Sequence, residues 1–424
     1  MTPALTSRGR RWLPWPKRID VALLAFTALV IAYCDRVNIS VTAPSMMREH
    51  GWDTVGMGWV FSGFFAGYSL MMIPAGMLAD RFGPKRVFGL SMAWWSALTA
   101  ITPLPRSLGA LTVVRVLMGA GESGTFPSMN GILVRWFPRQ EYSRVTGFCW
   151  SGGYAGSIVG IPLGSLILAT LGWRAVFLIF AAIGLAWVPL WQHAVANQPE
   201  QSAAIGDTEL DYIRAARPDI RKAEQVPWGR ILRIPAFWAL FSLHFSSNWF
   251  AYVMISWLPT YLLTAKGFSL SNMAVGATLP YICALLATNG FGLIIDRLSV
   301  SRDRTRVRKM FLIPYALSAV ALVLVPLAPT LPTTVAMLCL AMAFLTSATP
   351  VYSSNSLDLA PRFAATVVGV QACIANLAGI LAPVAIGYVV RSGGWSMAFA
   401  LTGAIIGGGI LSFALFGSAE RAID

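Results

Sequence analysis

The chain of 424 residues is 56% hydrophobic and only 12% charged, with a net charge of +14 and a mean hydropathy of +0.64. A soluble domain carries about 25% charged residues, so a solvated globular surface of this size is excluded. A net +14 would suggest nucleic-acid binding in a soluble protein, but here the positions of the charges exclude it.

A basic tail, residues 1–18, precedes an apolar run that continues through Val21–Ser40 without a clear cleavage site, which reads as a retained first span. Stretches of about twenty apolar residues cross a bilayer core of roughly 30 Å. The sequence predicts spans at 19–40, 55–77, 87–103, 109–134, 145–170 and 173–192, then at 235–262, 272–295, 309–328, 333–357, 363–390 and 395–416. The expected organisation is a tail at 1–18, a six-helix bundle at 19–192, a linker at 193–234, a second six-helix bundle at 235–416 and a tail at 417–424. The fold class is all-α membrane protein, with twelve transmembrane helices in two pseudo-symmetric bundles. The linker holds Glu209, Asp211, Arg214, Arg217, Arg221 and Lys222 and is expected to form a short surface helix.

Counting alternate loops outward from the tail puts 25 Lys and Arg on one side and 5 on the other, with Arg36 and Arg115 inside spans. The positive-inside rule then places both termini in the cytoplasm of a bacterial inner-membrane protein. Cys34, Cys149, Cys283, Cys339 and Cys373 lie in apolar runs without C-x-x-C spacing, so neither a disulfide framework nor a metal site is expected.

The halves repeat one another. Gly76-x-x-x-Asp80-Arg81 follows the second span and Gly292-x-x-x-Asp296-Arg297 the eighth, at an offset of 216. Trp173-x-x-x-Phe177 and Trp395-x-x-x-Phe399 open the sixth and twelfth spans, offset 222, and Pro162 and Pro383 sit in the fifth and eleventh. Near-constant offsets in corresponding spans indicate a duplicated six-helix unit, a plan used by secondary transporters.

The loop Gly76-x-x-x-Asp80-Arg81-x-Gly83-x-Lys85-Arg86 is expected to latch helices at a gate rather than to touch substrate. Gly119-x-Gly121-x-x-Gly124 matches a dinucleotide fingerprint but lies in an apolar helix rather than a βαβ unit, so close helix packing is the better reading. No G-x-x-x-x-G-K-[ST] occurs, so no ATP drive and no cofactor are indicated. Among eighteen Asp and Glu, only Asp35 and Glu122 fall deep within spans, and a charge there costs at least roughly 2.5–3.5 kcal/mol. Arg36 adjoins Asp35, and Arg115 lies two helical turns before Glu122 on the same face. Either these are two structural ion pairs, or Asp35 and Glu122 exchange protons as the site opens and closes. Each remaining intramembrane polar residue taken singly reads as a helix–helix contact. His244 reads as a packed or pore-lining histidine, and Trp94, Trp95, Trp249 and Trp257 as interface anchors.

Several motifs resemble the major facilitator superfamily, and more narrowly its anion:cation symporter branch of sugar-acid, organic-anion and sialin-like carriers. They are Tyr33-x-Asp35-Arg36-x-Asn38-x-Ser40, the 76–86 loop, and Arg115-x-x-x-Gly119-x-Gly121-Glu122-x-x-x-Phe126-Pro127. Trp257-Leu-Pro259-x-Tyr261 and Asn376-Leu-Ala-Gly379 extend the resemblance along the chain. It implies proton-coupled uptake of a small carboxylate, sugar acid or sulfonate by alternating access. Asp35 and Glu122 would carry protons, and Arg36 and Arg115 would meet the anion. Tyr33, Tyr68, Ser353 and Asn376 match pocket positions. Anion and protons are the expected partners in a lipid membrane, with no enzyme activity, no nucleic acid and a monomer as the working unit. The chain departs from sugar-acid carriers at Gly152-Gly153, where they often place a hydrogen-bonding side chain, and at Tyr352-Ser-Ser-Asn355-Ser356, which lacks their Trp. A small hydroxy acid, aromatic acid or sulfonate is therefore as open as a sugar acid. Same-fold proton antiport or export, and ligand sensing without transport, are the rival readings.

Overall fold

The computed structural model describes residues 15–215, 228–360 and 363–420. Arg217, Arg221 and Lys222 of the linker, and the tail arginines Arg8, Arg10 and Arg11, lie outside the described residues.

The first half runs α1 Lys17–His50, α2 Thr54–Phe82, α3 Pro84–Ile101, α4 Leu108–Glu122, α5 Thr125–Trp136, α6 Arg139–Leu171 and α7 Trp173–Ala194. A linker with α8 Asp207–Ala215 and α9 Trp228–Ile231 follows. The second half is α10 Pro235–Thr264, α11 Leu270–Ser301, α12 Arg304–Met310, α13 Leu312–Leu324, α14 Leu331–Leu345, α15 Ala348–Leu359 and α16 Ala364–Phe416. Among the described residues these trace twelve spans. The fourth is broken between α4 and α5, and the tenth between α14 and α15. The ninth joins α12 to α13, and α16 contains two spans turned at Gly394, where φ is +73°. At both breaks the backbone stays right-handed helical, at Ser123 and Gly124 and at Thr346 and Ser347, so the fourth and tenth spans each run on through the break.

Local chemistry sets the ends. Gly51 takes φ +70° to close α1, and Gly83 takes φ +90° before Pro84 opens α3, where a proline's missing N–H costs nothing. Asp53 caps α2 by accepting from the Gly56 N–H at 2.8 Å. Large apolar side chains such as Leu70, Leu90, Leu166, Leu286 and Ile313 stand outward, which suits contact with lipid tails and not with water.

Glycines set the interior geometry. A Cβ on Gly67 would meet the Val116 carbonyl oxygen at 1.9 Å, and one on Gly119 the Phe64 oxygen at 1.9 Å, so α2 and α4 touch backbone to backbone. In the same way Gly152, Gly156 and Gly160 let α6 lie directly on α1.

The halves are sealed at one end. Thr54 Oγ1 donates to the Gly387 carbonyl at 3.0 Å, Ser62 Oγ to the Ile380 carbonyl at 2.6 Å, and Arg391 pairs with Asp53 at 3.1 Å. Phe61 meets Trp257 edge-on at 5.0 Å. Deeper, Phe65 packs on Tyr252, and Thr288 reaches Tyr154 at 3.5 Å. Among the described residues, the hydrogen bonds and ring contacts that join the halves stop there. The end that carries the linker and the basic loops has none of these contacts between the halves among the described residues.

Candidate functional site

The intramembrane charges gather at the level where the halves last touch. α1 brings Asp35 and Arg36, and α4 brings Arg115 and Glu122; all four are buried. Successive helical residues diverge by about 100°, so Asp35 and Arg36 cannot face one partner. The pairing runs between helices: Arg36 donates through Nε to Glu122 Oε1 at 2.7 Å, with Nη2 at 2.6 Å from the same oxygen. Its guanidinium lies 4.6 Å from the Tyr33 ring centroid, 5.0 Å from Tyr68 and 5.2 Å from Phe64, a cage of aromatic faces that suits a cation. Glu122 Oε2 has no hydrogen-bond partner among the described residues. One carboxylate oxygen is thus committed to Arg36, and the other is left for a proton or a ligand.

Asp35 is held separately. Its Oδ2 accepts from Trp95 Nε1 at 3.1 Å and its Oδ1 from Asn38 Nδ2 at 3.3 Å. Arg115 forms no ion pair among the described residues. It rests on Phe64 at 4.8 Å and donates to Met118 Sδ at 3.1 Å, and its Nε is unpartnered. Under the reading of two structural ion pairs, Asp35 would meet Arg36 and Arg115 would meet Glu122; neither forms as a contact among the described residues. Helix geometry excludes the first, and the crossed Arg36–Glu122 bridge takes the carboxylate of the second.

The other predicted residues divide. Tyr33 and Tyr68 flank Arg36. Asn376 faces the site from the opposite half, where its Oδ1 accepts from Tyr252 OH at 2.5 Å. Ser353 is exposed and donates to the Thr349 carbonyl of its own helix at 2.8 Å, so it is not brought to Arg36. Gly153 gives the fifth span no side chain here; a Cβ on it would meet the Tyr33 ring at 3.0 Å. In the loop motif Asp80, Arg81, Asp296 and Arg297 are exposed and Gly76 is close to Pro127, while Gly292 faces open space. Neither Asp80 nor Asp296 has a partner among the described residues.

The tryptophans need correction. Of Trp94, Trp95, Trp249 and Trp257, only Trp94 is exposed. Trp95 and Trp257 are fully buried and donate to Asp35 and to the Pro383 carbonyl, and Trp249 is buried with its Nε1 unpartnered. The N–H groups of Trp95 and Trp257 satisfy interior acceptors rather than a headgroup layer. Sequence reasoning also missed Phe64 and Tyr252. The small residues facing Phe64 at Gly119 hint at the close crossing that holds it. No comparable signal marks Tyr252. His244 stacks on Tyr352 at 4.0 Å, a packed ring at the cavity wall.

Among the described residues no group of His, Cys, Asp and Glu forms a metal site.

Known proteins share this plan. A model described as Major Facilitator Superfamily matches residues 25–371. The chain is 34% identical to the chloroplastic sodium-dependent phosphate transport protein 1 of Arabidopsis thaliana, over 97% of this chain and 81% of that one. It is 32% identical to a probable sulfoacetate transporter of Cupriavidus necator, over 90% of each. Human sialin is 30% identical, over 95% of this chain and 90% of its own length. Among solved structures, a bacterial homolog of the human lysosomal transporter Spinster, in an inward-facing and unoccupied conformation, superposes with a TM-score of 0.73 at 20% identity, covering 95% of this chain and 94% of that one. A family match over most of the length, carried on twelve membrane spans, means that the chain belongs to the Major Facilitator Superfamily and is a multi-pass membrane transporter, not an enzyme.

Proposed function

We propose that this transporter takes up a small organic anion together with protons across a bacterial inner membrane, with both termini cytoplasmic. The observation that carries the reading is the buried Arg36–Glu122 bridge with one carboxylate oxygen unpartnered. An entering anion competes with Glu122 for the guanidinium. When Glu122 accepts a proton it releases Arg36, and the anion takes its place. Loss of the proton restores the bridge and expels the anion, so the two are bound together and freed together. Asp35, held by Trp95 and Asn38 beside this pair, is the second proton carrier. Arg115 adds positive potential behind Phe64. Tyr33 and Tyr68 from one half and Asn376 from the other border the anion.

The relatives support the anionic cargo, being named for phosphate, sulfoacetate and, in a further Arabidopsis relative, ascorbate. The arrangement also fits a state open to the cytoplasm: the far end is sealed and the Asp80 and Asp296 latch residues are unpaired on the basic face. In this reading they engage when that face closes.

The test is uptake of labelled organic acids, from a panel of hydroxy acids, aromatic acids, sugar acids and sulfonates, into proteoliposomes under an imposed proton gradient. Asp35→Asn and Glu122→Gln are each expected to abolish gradient-driven accumulation while Glu122→Gln still exchanges anion for anion. If both variants keep full gradient-driven uptake, the coupling assignment is wrong.

A further inference from the structure

A pocket outside the central site lies on the basic face of the first half. It encloses about 390 Å³ between Phe82, Lys85, Arg86, Ala196, Asn197 and Gln201. It sits where the loop motif runs into α3, against the segment that follows α7. Asn197 ties the two together: its Oδ1 accepts from the Lys85 N–H at 3.4 Å and from Arg135 Nη1 at 3.0 Å. Trp191 Nε1 donates to the Lys85 carbonyl at 3.0 Å and Trp136 Nε1 to the Ala196 carbonyl at 3.0 Å, which fixes the walls.

The second half shows what is missing. Arg135 and Asp358 occupy matching places in the sequence, each three residues before a proline, Pro138 and Pro361. In the second half Asp358 neutralises the basic entry to the ninth span. It pairs with Arg304 at 3.1 Å and with Arg308, which also binds Asn355. In the first half the corresponding acid is an arginine. Lys85 and Arg86 make no side-chain hydrogen bond or ion pair among the described residues, although both line the pocket. Burial and then the neighbouring Arg86 push the Lys85 ammonium down from its ordinary value, as expected for cations crowded without a counter-charge. α3 also begins here, with the Lys85 N–H taken by Asn197 and no cap from Gly83, so the positive end of an 18-residue helix faces the same place.

We propose that this pocket binds a phosphate group, held between Lys85 and Arg86 at the start of α3, with Asn197 and Gln201 as further donors. The group would be either the phosphodiester of an anionic lipid headgroup or a soluble phosphate. The half-exposed Phe82 ring at the rim, with Arg81 lying 5.3 Å over it, suits a ligand at the lipid boundary. The assignment does not depend on which anion the central site carries.

The experiment uses the full chain in detergent, with native mass spectrometry of bound phosphatidylglycerol and heat stability in inorganic phosphate. Lys85→Gln/Arg86→Gln is compared with Arg302→Gln/Arg306→Gln, which removes the same charge from exposed, unpaired positions on the same face. Phosphatidylglycerol affinity is expected to fall roughly fivefold for each pocket cation removed, with little change in the control. If inorganic phosphate has no effect, the ligand is the lipid headgroup. If phosphate displaces the lipid and protects against heating only when the pocket cations are present, the ligand is a soluble phosphate. Equal losses in the two double variants would overturn the proposal, since general surface charge would then account for the binding. Arg86→Gln alone, an exposed substitution, gives the same discrimination if the double variant folds poorly.

Discussion

Replacing Glu122 and replacing Arg36 should have unequal consequences, although each breaks the same bridge. Removing one partner of a buried pair strands the other charge, at about 3–5 kcal/mol. A stranded carboxylate can escape that penalty by taking a proton, but a stranded guanidinium cannot lose one in the accessible pH range. In Glu122→Gln, Arg36 keeps its charge but loses its counter-charge, retaining the amide oxygen of the glutamine and the rings of Tyr33, Phe64 and Tyr68, which together return about 1–2 kcal/mol. The net loss is about 2–3 kcal/mol. In Arg36→Met the apolar side chain refills the ring cage and Glu122 becomes neutral, for a loss of about 1 kcal/mol. Purified variants melted in detergent should therefore rank wild type, Arg36→Met, Glu122→Gln in falling stability. A bound substrate anion should restore stability selectively to Glu122→Gln, by about 2.7 kcal/mol at a hundredfold excess over its Kd. If Arg36→Met melts lower than Glu122→Gln, or if anions protect wild type as strongly as Glu122→Gln, the bridge is not the competitor of the anion and the reasoning fails.

Three further outcomes follow from other contacts. A Cβ at Gly387 would come within 2.5 Å of the Thr54 carbonyl oxygen, so Gly387→Val should prise open the sealed end; thiol labelling of a cysteine placed at Ile380 should quicken, and unchanged labelling would count against the seal. Hydrogen bonds from Arg174 and Trp173, together with the Arg174 charge, hold the exposed Glu49 carboxyl at about 2, below its ordinary 4.5. A depressed carboxyl supports the folded loop above pH about 4.5 and loses that support as pH falls toward 2, so Trp173 fluorescence should titrate in that window and Glu49→Gln should remove the titration. Glu209 of α8 accepts the Lys17 and Arg18 N–H groups at 2.9 and 3.0 Å and pairs with Arg18; Glu209→Gln should cost about 1 kcal/mol of capping and speed proteolytic cutting in the linker, measured by the cleavage half-life.

The span count and the intramembrane charges were legible because both rest on composition: a charge amid apolar residues stands out in a string of letters. The pairing was not legible, because it depends on which helices cross and at what height. Asp35 and Arg36 are neighbours in sequence and point to different helices; Arg36 and Glu122 are 86 residues apart and touch. The glycines of α4 were correctly read as packing residues, since a G-x-G pattern without a βαβ frame leaves little else. The tryptophans were misread because the preference for membrane interfaces is statistical, while Trp95 is fixed by one interior carboxylate. Ser353 matched a family position in sequence, yet its hydroxyl bonds back to its own helix, as serines in apolar helices commonly do.

The Asp53 carboxylate at the sealed end is shared between two tasks. Oδ1 caps α2 through Gly56, and Oδ2 holds Arg391 of the other half. The two oxygens make the gate separable from the helix it stands on. Arg391 can leave without loosening the first turn of α2, so this part of the seal opens by exchanging one exposed ion pair for water. Such a pair is worth at most about 1 kcal/mol, and its attraction weakens as salt rises. The barrier to opening this end therefore falls mainly on the Thr54 and Ser62 hydrogen bonds and the Phe61–Trp257 contact beneath it, and the ionic strength of the medium on that side tunes the remainder.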